Sequence, residues 1–499
     1  MLRTERLTAG LALATLTALA GCAGTAPDLA PERPDAPWRP PSAPSTAEGF
    51  VLPPRPALAQ LPPAPDIDTA HAYTLPELVD LAQRHHPATR IAWIEARNAA
   101  QAAGAAQRTW LPQLSASVLA GYQHRRGDSE GRLLGLESEG SGHGAIGVLS
   151  LQWLLFDFGE RAALAEGAQQ GALAAGIGFT AAHQQLIEAV CLAFYRLGAA
   201  RARIAVARHT LANSRQVLEA AQARHTQGVG TVIDVAQARQ GVAQAELARV
   251  QAQAAERDAY HALVAALGIS PLTPLQVADA PAPRLDRSAE APVERIVAEA
   301  LARRPDVQAA HAALLASQAN AQAADAAGKP KVFLAASASR STGGANVAAL
   351  PGIGQQGPTL NLSGSGTGAG VFVGVTVPIF DAGVRESAQI QARQRIDAAS
   401  ARLERTQQQA VQQIVVAQDA LRTALASAEA AEALQATAAL TRDAALEAYR
   451  HGVGTVTAIA LADTQWQQAG QALADARAAA QSAAVTLALA TGALGAAPR

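Results

Sequence analysis

The residues best placed to do chemistry in this sequence form two copies of one short motif. Residues 155–161 read Leu-Phe-Asp-Phe-Gly-Glu-Arg, and residues 379–385 read Ile-Phe-Asp-Ala-Gly-Val-Arg. In each copy an acid stands at the start of a predicted helix, where a carboxylate caps backbone amides and interacts favourably with the helix dipole. The motif therefore predicts a structural role for its shared residues, which are Phe156, Asp157, Gly159, Arg161, Phe380, Asp381, Gly383 and Arg385.

A second motif is repeated at the same offset of 224 residues. Residues 225–231 end in Gly-Val-Gly-Thr, and so do residues 449–455. Glycine supplies the positive φ that a helix end needs, so each copy predicts a tight turn between two helices. The chain is therefore a tandem duplication, and internal repeats of this kind are considered before any other signal.

No catalytic arrangement accompanies these motifs. The sequence has no Gly-x-Ser-x-Gly, no His-Glu-x-x-His, no phosphate-binding loop and no Cys–His cluster, so no enzyme activity, cofactor or metal site is predicted. The formal net charge of −1 gives no bulk electrostatic basis for binding nucleic acid. Two cysteines exclude a disulfide framework.

The N-terminal segment predicts export and lipid attachment. Two arginines precede an apolar run that is shorter than the roughly 20 residues a membrane-spanning helix needs, so residues 1–21 are predicted to be a signal peptide. Leu-Ala-Gly-Cys at 19–22 resembles a bacterial lipoprotein cleavage box, which predicts that Cys22 carries lipid such as palmitate; ordinary signal cleavage nearby is the alternative. The thirteen prolines of residues 23–72 predict an extended tether, so residues 22–73 are assigned to it.

Both repeats predict the same order of elements. Each begins with a helix that a proline interrupts, at Pro87 in the first repeat and at Pro305 in the second. The first of these helices starts at a predicted capping box, Thr74 with Glu77. The expected divisions are a first repeat over 74–267, a linker over 268–292, a second repeat over 293–492 and a tail over 493–499.

Between this helix and the Phe-Asp motif, each repeat alternates apolar and small or polar residues as a β-hairpin does. The hairpins are expected over about 113–156 and 331–380, with Gly- and Ser-rich loops at 123–144 and 341–369. Each alternating stretch has a length near the 9–11 residues that a tilted membrane-spanning strand needs. A half-buried hairpin in a soluble sheet gives the same alternation. Four strands cannot close a barrel in lipid, where every edge amide must be paired, so the membrane interpretation needs several chains.

A very long helix is predicted after each Phe-Asp motif, and a returning helix after each glycine turn. In the first long helix a heptad seam runs from Leu186 to Ala221 and predicts coiled-coil packing. The second seam consists mainly of alanine and is weaker. The expected bounds are about 159–225 and 383–450 for the long helices, and about 232–267 and 456–490 for the returning helices.

This order of elements resembles the TolC-like outer membrane efflux (outer membrane factor) family over about residues 74–492. Its most specific marks are the paired Phe-Asp-x-Gly-x-Arg motifs directly after strands and the paired Gly-Val-Gly-Thr turns. The resemblance implies a mainly α fold with membrane β. Tandem-duplicated long helical hairpins would form a periplasmic α-barrel, and four strands per chain would contribute to a trimeric twelve-stranded outer-membrane β-barrel. The family's usual Asn-Pro is replaced by His86-Pro87 and Arg304-Pro305.

The resemblance also implies a function. A homotrimer in the outer membrane of a Gram-negative bacterium, in contact with its lipid, would be the exit duct of a tripartite efflux or type I secretion system. A periplasmic adaptor would connect it to an inner-membrane pump. The Phe-Asp motifs would hold the join between barrel and tunnel. The alternatives are a lipid-anchored periplasmic coiled-coil adaptor and a structural scaffold, neither of which needs two hairpins and four strands.

The glycine turns would then form the periplasmic tips, and the family's gate lies nearby. Aligned through the turns, the gate's acidic position is Asp234, but its tyrosine position is His451 and its arginine position is Val456. The family's lumenal acidic pair aligns with Ala460 and Asp463, so one carboxylate remains. The residues assigned to tip and gate are Gly228, Gly230, Thr231, Asp234, His451, Gly452, Gly454, Thr455 and Asp463.

Three titratable residues among these have functional interpretations. Threefold rings of Asp234 and Asp463 in a pore would favour cations. The alternative for each is a carboxylate stabilised near a helix N-terminus. Histidine changes charge between about pH 5 and 8, so we hypothesise that His451 makes the closed tip sensitive to pH.

Overall fold

The computed structural model describes residues 30–31, 33–35, 37–38, 49–52, 54–59, 66–128, 137–279, 293–350 and 359–495. The predicted signal peptide, Cys22 and most of the predicted tether lie outside the described residues. The chain divides into two compact units, Met1–Ala64 and Pro65–Arg499. The described part of the first unit includes a short 3₁₀ helix, Pro56–Leu58, whose side chains are exposed.

The second unit contains two similar series of helices and strands. The first series is β1 (Ala72–Tyr73), α1 (Leu75–His85), α2 (Pro87–Arg108), β2 (Gln113–Asp128), β3 (Glu137–Phe156), α3 (Glu160–Thr226) and α4 (Val232–Ala266). The second series is β4 (Gln276–Val277), α5 (Val293–Arg303), α6 (Pro305–Ala326), β5 (Lys331–Leu350), β6 (Thr359–Thr376), α7 (Val384–Arg450) and α8 (Val456–Ala490). Every helix predicted from the sequence is present.

Prolines interrupt the first helix of each series, as predicted. Pro87 separates α1 from α2, and Pro305 separates α5 from α6, because proline has no amide to bond to the preceding turn. At the start of α1 the Glu77 carboxylate accepts hydrogen bonds from the Thr74 amide at 2.7 Å and from the Thr74 hydroxyl at 2.8 Å. Thr74 and Glu77 therefore form the predicted capping box.

The residues before these two prolines make different contacts. His86 caps α2, since its Nδ1 accepts a hydrogen bond from the Ala88 amide at 3.0 Å. Arg304 donates instead to the carbonyl oxygen of Ala490 at 2.8 Å and to the side chain of Gln413 at 2.6 Å. Arg304 thus connects the α5–α6 break to both α8 and α7, whereas His86 acts locally.

The four long strands form one antiparallel sheet in the order β2-β3-β5-β6. The register pairs Leu114 with Leu151, Leu151 with Ala336, and Ala336 with Val371, so apolar side chains share one face. This confirms the predicted alternation. Within the described residues, the outer edges of β2 and β6 have no strand partner.

The strands are longer than the sequence predicts. The stretches predicted as loops at 123–144 and 341–369 are strand wherever the structure describes them. Glycine and serine are depleted or weak in isolated strands, but here small residues pair with small residues across the sheet. Gly343 lies beside Gly144, and a Cβ added at Gly343 would come within 2.8 Å of the His143 carbonyl oxygen. Close strand packing therefore overrides the local preference for a loop.

The last strand ends earlier than predicted. β6 stops at Thr376, so Val377 and Ile379, which were expected to continue its alternation, lie beyond it. Pro378 stands between them and has no backbone amide to donate to a neighbouring strand. The proline therefore ends the ladder three residues before the Phe-Asp motif.

The long helices form antiparallel hairpins with the returning helices. α3 and α7 have 67 residues each, which makes each a rod of about 100 Å. The predicted seam of α3 is buried from Leu186 to Ala221, apart from the half-buried Leu218. α3 packs against α4 and α8, and α7 packs against α8. Nearer the sheet α3 lies between α2 and α6, and α6 packs on α7. None of the described helices combines the length and apolarity needed to cross a membrane.

A small parallel pair of strands was not predicted. β1 pairs with β4, with Tyr73 opposite Val277. Ile269, Leu275 and Val277 belong to the largest buried cluster, together with residues of α1, α3 and α4. The start of the predicted linker is therefore part of the core of the first series.

Candidate functional site

Each long helix ends in a tight glycine turn. Gly228 after α3 has a φ of 76°, and Gly452 after α7 has a φ of 81°, which is the left-handed conformation that the sequence predicted. The amides of Val229 and Gly230 both donate to the Arg224 carbonyl oxygen, at 3.0 and 3.1 Å, and the second turn repeats these bonds. The free carbonyl groups at both helix ends are thereby satisfied.

The second glycine of each turn is needed for space rather than for φ. A Cβ at Gly230 would lie 3.0 Å from the His225 amide nitrogen, and a Cβ at Gly454 would lie 2.9 Å from the Tyr449 amide nitrogen. Both distances are shorter than ordinary contacts of a methyl group with backbone. The Gly-Val-Gly spacing is therefore a packing requirement as well as a conformational one.

The two turns differ in how the returning helix begins. In the first turn the Asp234 carboxylate accepts from the amide and hydroxyl of Thr231, at 2.9 and 2.8 Å, and the hydroxyl accepts from the Asp234 amide at 3.1 Å. These hydrogen bonds hold the pKa of Asp234 below its ordinary value. In the second turn Thr455 accepts from the amide of Ala458, which has no carboxylate to return a bond. The geometry of Asp234 is that of a helix cap.

One contact joins the two turns to each other. Arg224 Nη1 donates to the Tyr449 carbonyl oxygen at 2.8 Å, and the guanidinium lies 4.9 Å from the centroid of the Tyr449 ring. Tyr449 is only 3% exposed and packs with Val235 and Val456. Burial raises the pKa of the Tyr449 hydroxyl, while Arg224 opposes the shift. Sequence reasoning missed this pair, because the 224-residue offset aligns Arg224 with Ala448.

The positions aligned with the family's gate are occupied differently. His451 is exposed, with its Nε2 3.8 Å from the carboxylate of Glu447 one turn earlier. Val456, at the arginine position, is buried in the apolar cluster around Tyr449. The contact between Arg224 of α3 and Tyr449 of α7 involves none of the positions that align with the family's gate.

Asp463 is buried between helices. It lies two turns into α8, is 8% exposed, and forms no hydrogen bond or close ion pair with any described residue. Burial raises its pKa to about 6, and the guanidinium of Arg442 opposes this shift. Arg442 lies 5.1 Å from the centroid of the Trp466 ring and pairs with Asp443. Because the Asp463 carboxylate is enclosed by its own chain, little of it is exposed to line a pore as the sequence predicted.

The Phe-Asp-x-Gly-x-Arg motifs bring strand into helix through an unusual turn. Two consecutive residues have positive φ in each copy, namely Phe158 (54°) with Gly159 (92°), and Ala382 (53°) with Gly383 (83°). Such a conformation is uncommon for residues other than glycine, so surrounding contacts must hold it.

In the first copy a buried ion pair supplies these contacts. The Asp157 carboxylate accepts from Arg161 Nε at 2.7 Å and from the amides of Arg161 and Gly159 at 2.9 and 3.2 Å. Burial acts to raise the pKa of Asp157, but the hydrogen bonds outweigh it and the pKa is lowered. Arg161 Nη1 also donates to the carbonyl oxygens of Leu154 and Thr109, at 2.7 and 3.2 Å. The pair thus connects β3, α3 and the end of α2.

The second copy repeats the arginine's bonds to the aspartate and to the end of the preceding strand segment, but it is less buried. Arg385 Nε donates to Asp381 at 2.6 Å, and Arg385 Nη1 donates to the Pro378 carbonyl oxygen at 3.0 Å. In the first copy the Arg161 guanidinium lies 4.2 Å from the centroid of the Trp110 ring. Before the strands the repeats align at an offset of 218 residues, with Pro112 opposite Pro330, which places Gly328 at the position of Trp110. Among the described residues, no aromatic ring therefore covers Arg385 as Trp110 covers Arg161.

A comparison with known protein families agrees with this architecture. Residues 78–269 and 296–493 match the family model described as outer membrane efflux protein. These two stretches make up most of the chain and correspond to its two series of elements. The chain belongs to the outer membrane efflux protein family. No group of His, Cys, Asp and Glu side chains in the described ranges of this efflux protein is arranged to hold a metal ion.

Individual relatives agree with this membership. The chain is similar to Protein CyaE of Bordetella pertussis, with 28% identity over 425 residues, which are 82% of each chain. It is 32% identical over 287 residues to the pyoverdine export outer membrane protein OpmQ of Pseudomonas aeruginosa, covering 56% of this chain and 58% of the relative. The Campylobacter jejuni CmeC outer membrane channel has the same fold, with a TM-score of 0.69 at 18% identity, covering 84% of this chain and 85% of that one. The predicted TolC-like fold and outer-membrane location are confirmed, and the efflux protein is an exit duct for export.

Proposed function

We propose that this efflux protein is a homotrimer that passively conducts cargo as the outer-membrane duct of a tripartite efflux or type I secretion system. The main support is the sheet, whose edges on β2 and β6 are unpaired within the described residues. Unpaired amides cost several kcal/mol each in lipid, so a four-stranded open sheet is unstable there. Three copies joined edge to edge give twelve strands and leave no edge.

The helices continue the duct into the periplasm in this proposal. Three copies of the roughly 100 Å hairpins enclose a tunnel, and the two glycine turns of each chain form its periplasmic tips. A periplasmic adaptor docks on the tips and connects the duct to an inner-membrane pump. The pump supplies the energy, so the duct itself is neither an enzyme nor a cofactor protein.

Two groups of residues receive roles here. The Asp157–Arg161 and Asp381–Arg385 pairs hold the join between barrel and tunnel, supported by their bonds across strand and helix. The tips are closed through the Arg224–Tyr449 contact, with Asp234 as the cap of the first returning helix. His451, exposed beside Glu447, adjusts the tip with pH, so conductance changes between about pH 5 and 8 and His451→Ala removes the change.

The N-terminal assignments stay predictions, because they lie outside the described residues. Residues 1–21 are removed, Cys22 is acylated, and residues 22–73 lead from the lipid anchor to the repeats at 74–267 and 293–492. Labelling of cells with radioactive palmitate checks the anchor, since Cys22→Ala should abolish incorporation.

Conductance of the purified protein in a planar bilayer, measured together with its mass in detergent, tests the duct. Discrete conductance steps and a mass three times that of the mature chain are expected. A monomer that forms no pores would contradict the proposal.

A further inference from the structure

The second strand-to-helix join exposes a concentrated apolar surface. Ile379 and Phe380, the third and fourth residues after β6, are 91% and 87% exposed, and Val384 at the start of α7 is exposed as well. Their counterparts in the first repeat, Leu155 and Phe156, are 38% and 52% exposed. Side chains this apolar and this exposed at the edge of a folded unit mark a contact surface.

A second apolar surface lies at the opposite edge of the same sheet. Trp110 and Leu111 directly precede β2 and are exposed. We call these two residues the leading edge, and Ile379, Phe380 and Val384 the trailing edge.

The two edges lie at the same end of the sheet. Gln113 at the start of β2 pairs with Gln152, and Gln152 pairs with Ala335 near the start of β5. Lys331 at the start of β5 pairs with Thr376, the last residue of β6. If β6 of one copy pairs antiparallel with β2 of the next, as barrel closure requires, the residues after Thr376 come beside those before Gln113.

The helices below the sheet follow the same order. α2 packs on α3, α3 on α6 and α6 on α7, so α2 and α7 are the outer helices just as β2 and β6 are the outer strands. An interface that begins between strands therefore continues without interruption between α7 of one copy and α2 of the next.

We infer that Trp110 and Leu111 of a second copy of this chain cover Ile379 and Phe380, so that the second join is completed only in the assembly. This rests on the proposed trimer and adds which residues form the contact between subunits. Within its own chain Trp110 contacts Arg161 yet remains 45% exposed, which leaves much of its ring surface for a neighbour. Gly328 gives the second join no ring of its own, and the neighbour's tryptophan supplies the missing cover.

Intermolecular disulfide formation tests this contact. The full-length protein with Leu111→Cys and Ile379→Cys is purified in detergent, oxidised, and run without reductant. Most of the protein should move to dimer and trimer bands. The matched control combines Leu111→Cys with Val453→Cys, because Val453 is comparably exposed but lies at the tip, about 100 Å along α7. Each single variant reports any contribution from Cys22 or Cys191.

A non-covalent test uses the exposed phenylalanine. Phe380→Ser should lower the temperature at which the trimer dissociates in detergent, because it removes apolar area that the neighbour covers. Val453→Ser, which removes a similarly exposed apolar side chain at the tip, should leave that temperature unchanged.

The outcomes separate this inference from the duct proposal. A trimeric mass without cross-linking at 111 and 379, or equal dissociation temperatures for both serine variants, overturns the inference and leaves the duct intact. This is the result expected if membrane lipid covers the trailing edge instead. Failure to find a trimer by mass under any condition overturns both.

Discussion

The two strand-to-helix joins share one motif and one backbone conformation, yet their surroundings differ. In the first join the side chains of Asp157 and Arg161 are 3% and 7% exposed. In the second, those of Asp381 and Arg385 are 31% and 27% exposed. The shared Phe, Asp, Gly and Arg are identical in both copies, so the difference comes from the residues around them.

Its sources are the tryptophan above the first join and the position of each join in the sheet. Trp110 covers the arginine of the first join, whereas Gly328 stands at the corresponding position of the second. The first join follows β3, an inner strand, and the second follows β6, an edge strand. The two joins therefore contribute differently to the stability of the protein, because one lies inside the subunit and the other lies at its boundary.

The largest expected difference between the joins comes from removing their arginines. Arg161→Ala leaves the Asp157 carboxylate buried without its partner, which costs about 3–5 kcal/mol. Arg385→Ala costs distinctly less, because solvent reaches Asp381 and screens the lost charge. Urea unfolding in detergent measures both. The double variant Asp157→Ala with Arg161→Ala should recover part of the loss, and equal losses for the two single variants would refute the contrast.

The returning helices give a second comparison. Asp463 of α8 is buried because α8 packs against both α3 and α7, whereas its counterpart Arg239 is exposed on α4, whose main helical neighbour is α3. The folded pKa of Asp463 is raised from 3.8 to about 6, so its neutral form is favoured in the fold. The free energy of unfolding should therefore fall by about 3 kcal/mol in total as pH rises from about 4 to 6, and should stay level above pH 6.

Asp463→Asn removes this dependence. The variant should be more stable than the original protein above about pH 6 and similar to it below about pH 4. Urea midpoints measured at several pH values between 4 and 8 provide the test, with Asp475→Asn, whose half-exposed side chain pairs with Arg203, as the control on the same helix. A slope between pH 4 and 6 that persists in Asp463→Asn would show that another group titrates.

The contact between the tips is expected to have a smaller effect. Arg224→Ala removes a hydrogen bond from a charged donor and a ring contact, which together stabilise the closed tips by about 1.5–3 kcal/mol. The tips should then open more often, and single channels should spend more time at high conductance. Arg450→Ala, on the exposed surface of the second tip, should leave the conductance unchanged. Identical traces for the two variants would exclude this contact from closure.

The smallest predicted effect concerns the two helix caps. Ala458→Asp introduces at the second tip the carboxylate that Asp234 provides at the first, and should stabilise the start of α8 by up to about 1 kcal/mol. Asp234→Ala should weaken the start of α4 by a similar amount. Amide hydrogen exchange of the first turn of each helix would detect both changes. Unaltered protection in both variants would argue against a role of the carboxylate in capping.

Features that depend on local backbone preferences were predicted well from the sequence. Pro87 and Pro305 determine where the first helices break, and Gly228 and Gly452 determine where the long helices end. The heptad seam of α3 correctly indicated its buried face, because residues spaced by three and four lie on one side of a helix.

Features that depend on partners distant in sequence were predicted poorly. The strands extend through Gly- and Ser-rich stretches because neighbouring strands pair with them, and no short window of sequence contains that information. The Arg224–Tyr449 contact crosses from one repeat to the other, and the alignment of the repeats does not place these residues opposite each other.

The amino-acid sequence by itself determined the order of elements, the duplication, the turns and the joins, since each follows from the φ preferences of proline and glycine and from side-chain periodicity. Only the tertiary structure decided which of two equivalent positions is buried. Asp463 and Arg239, or Asp381 and Asp157, occupy matching places in the repeats but meet different neighbours. Burial, and with it pKa and stability, is a property of the surrounding packing, and the packing is contributed by residues far away in the chain.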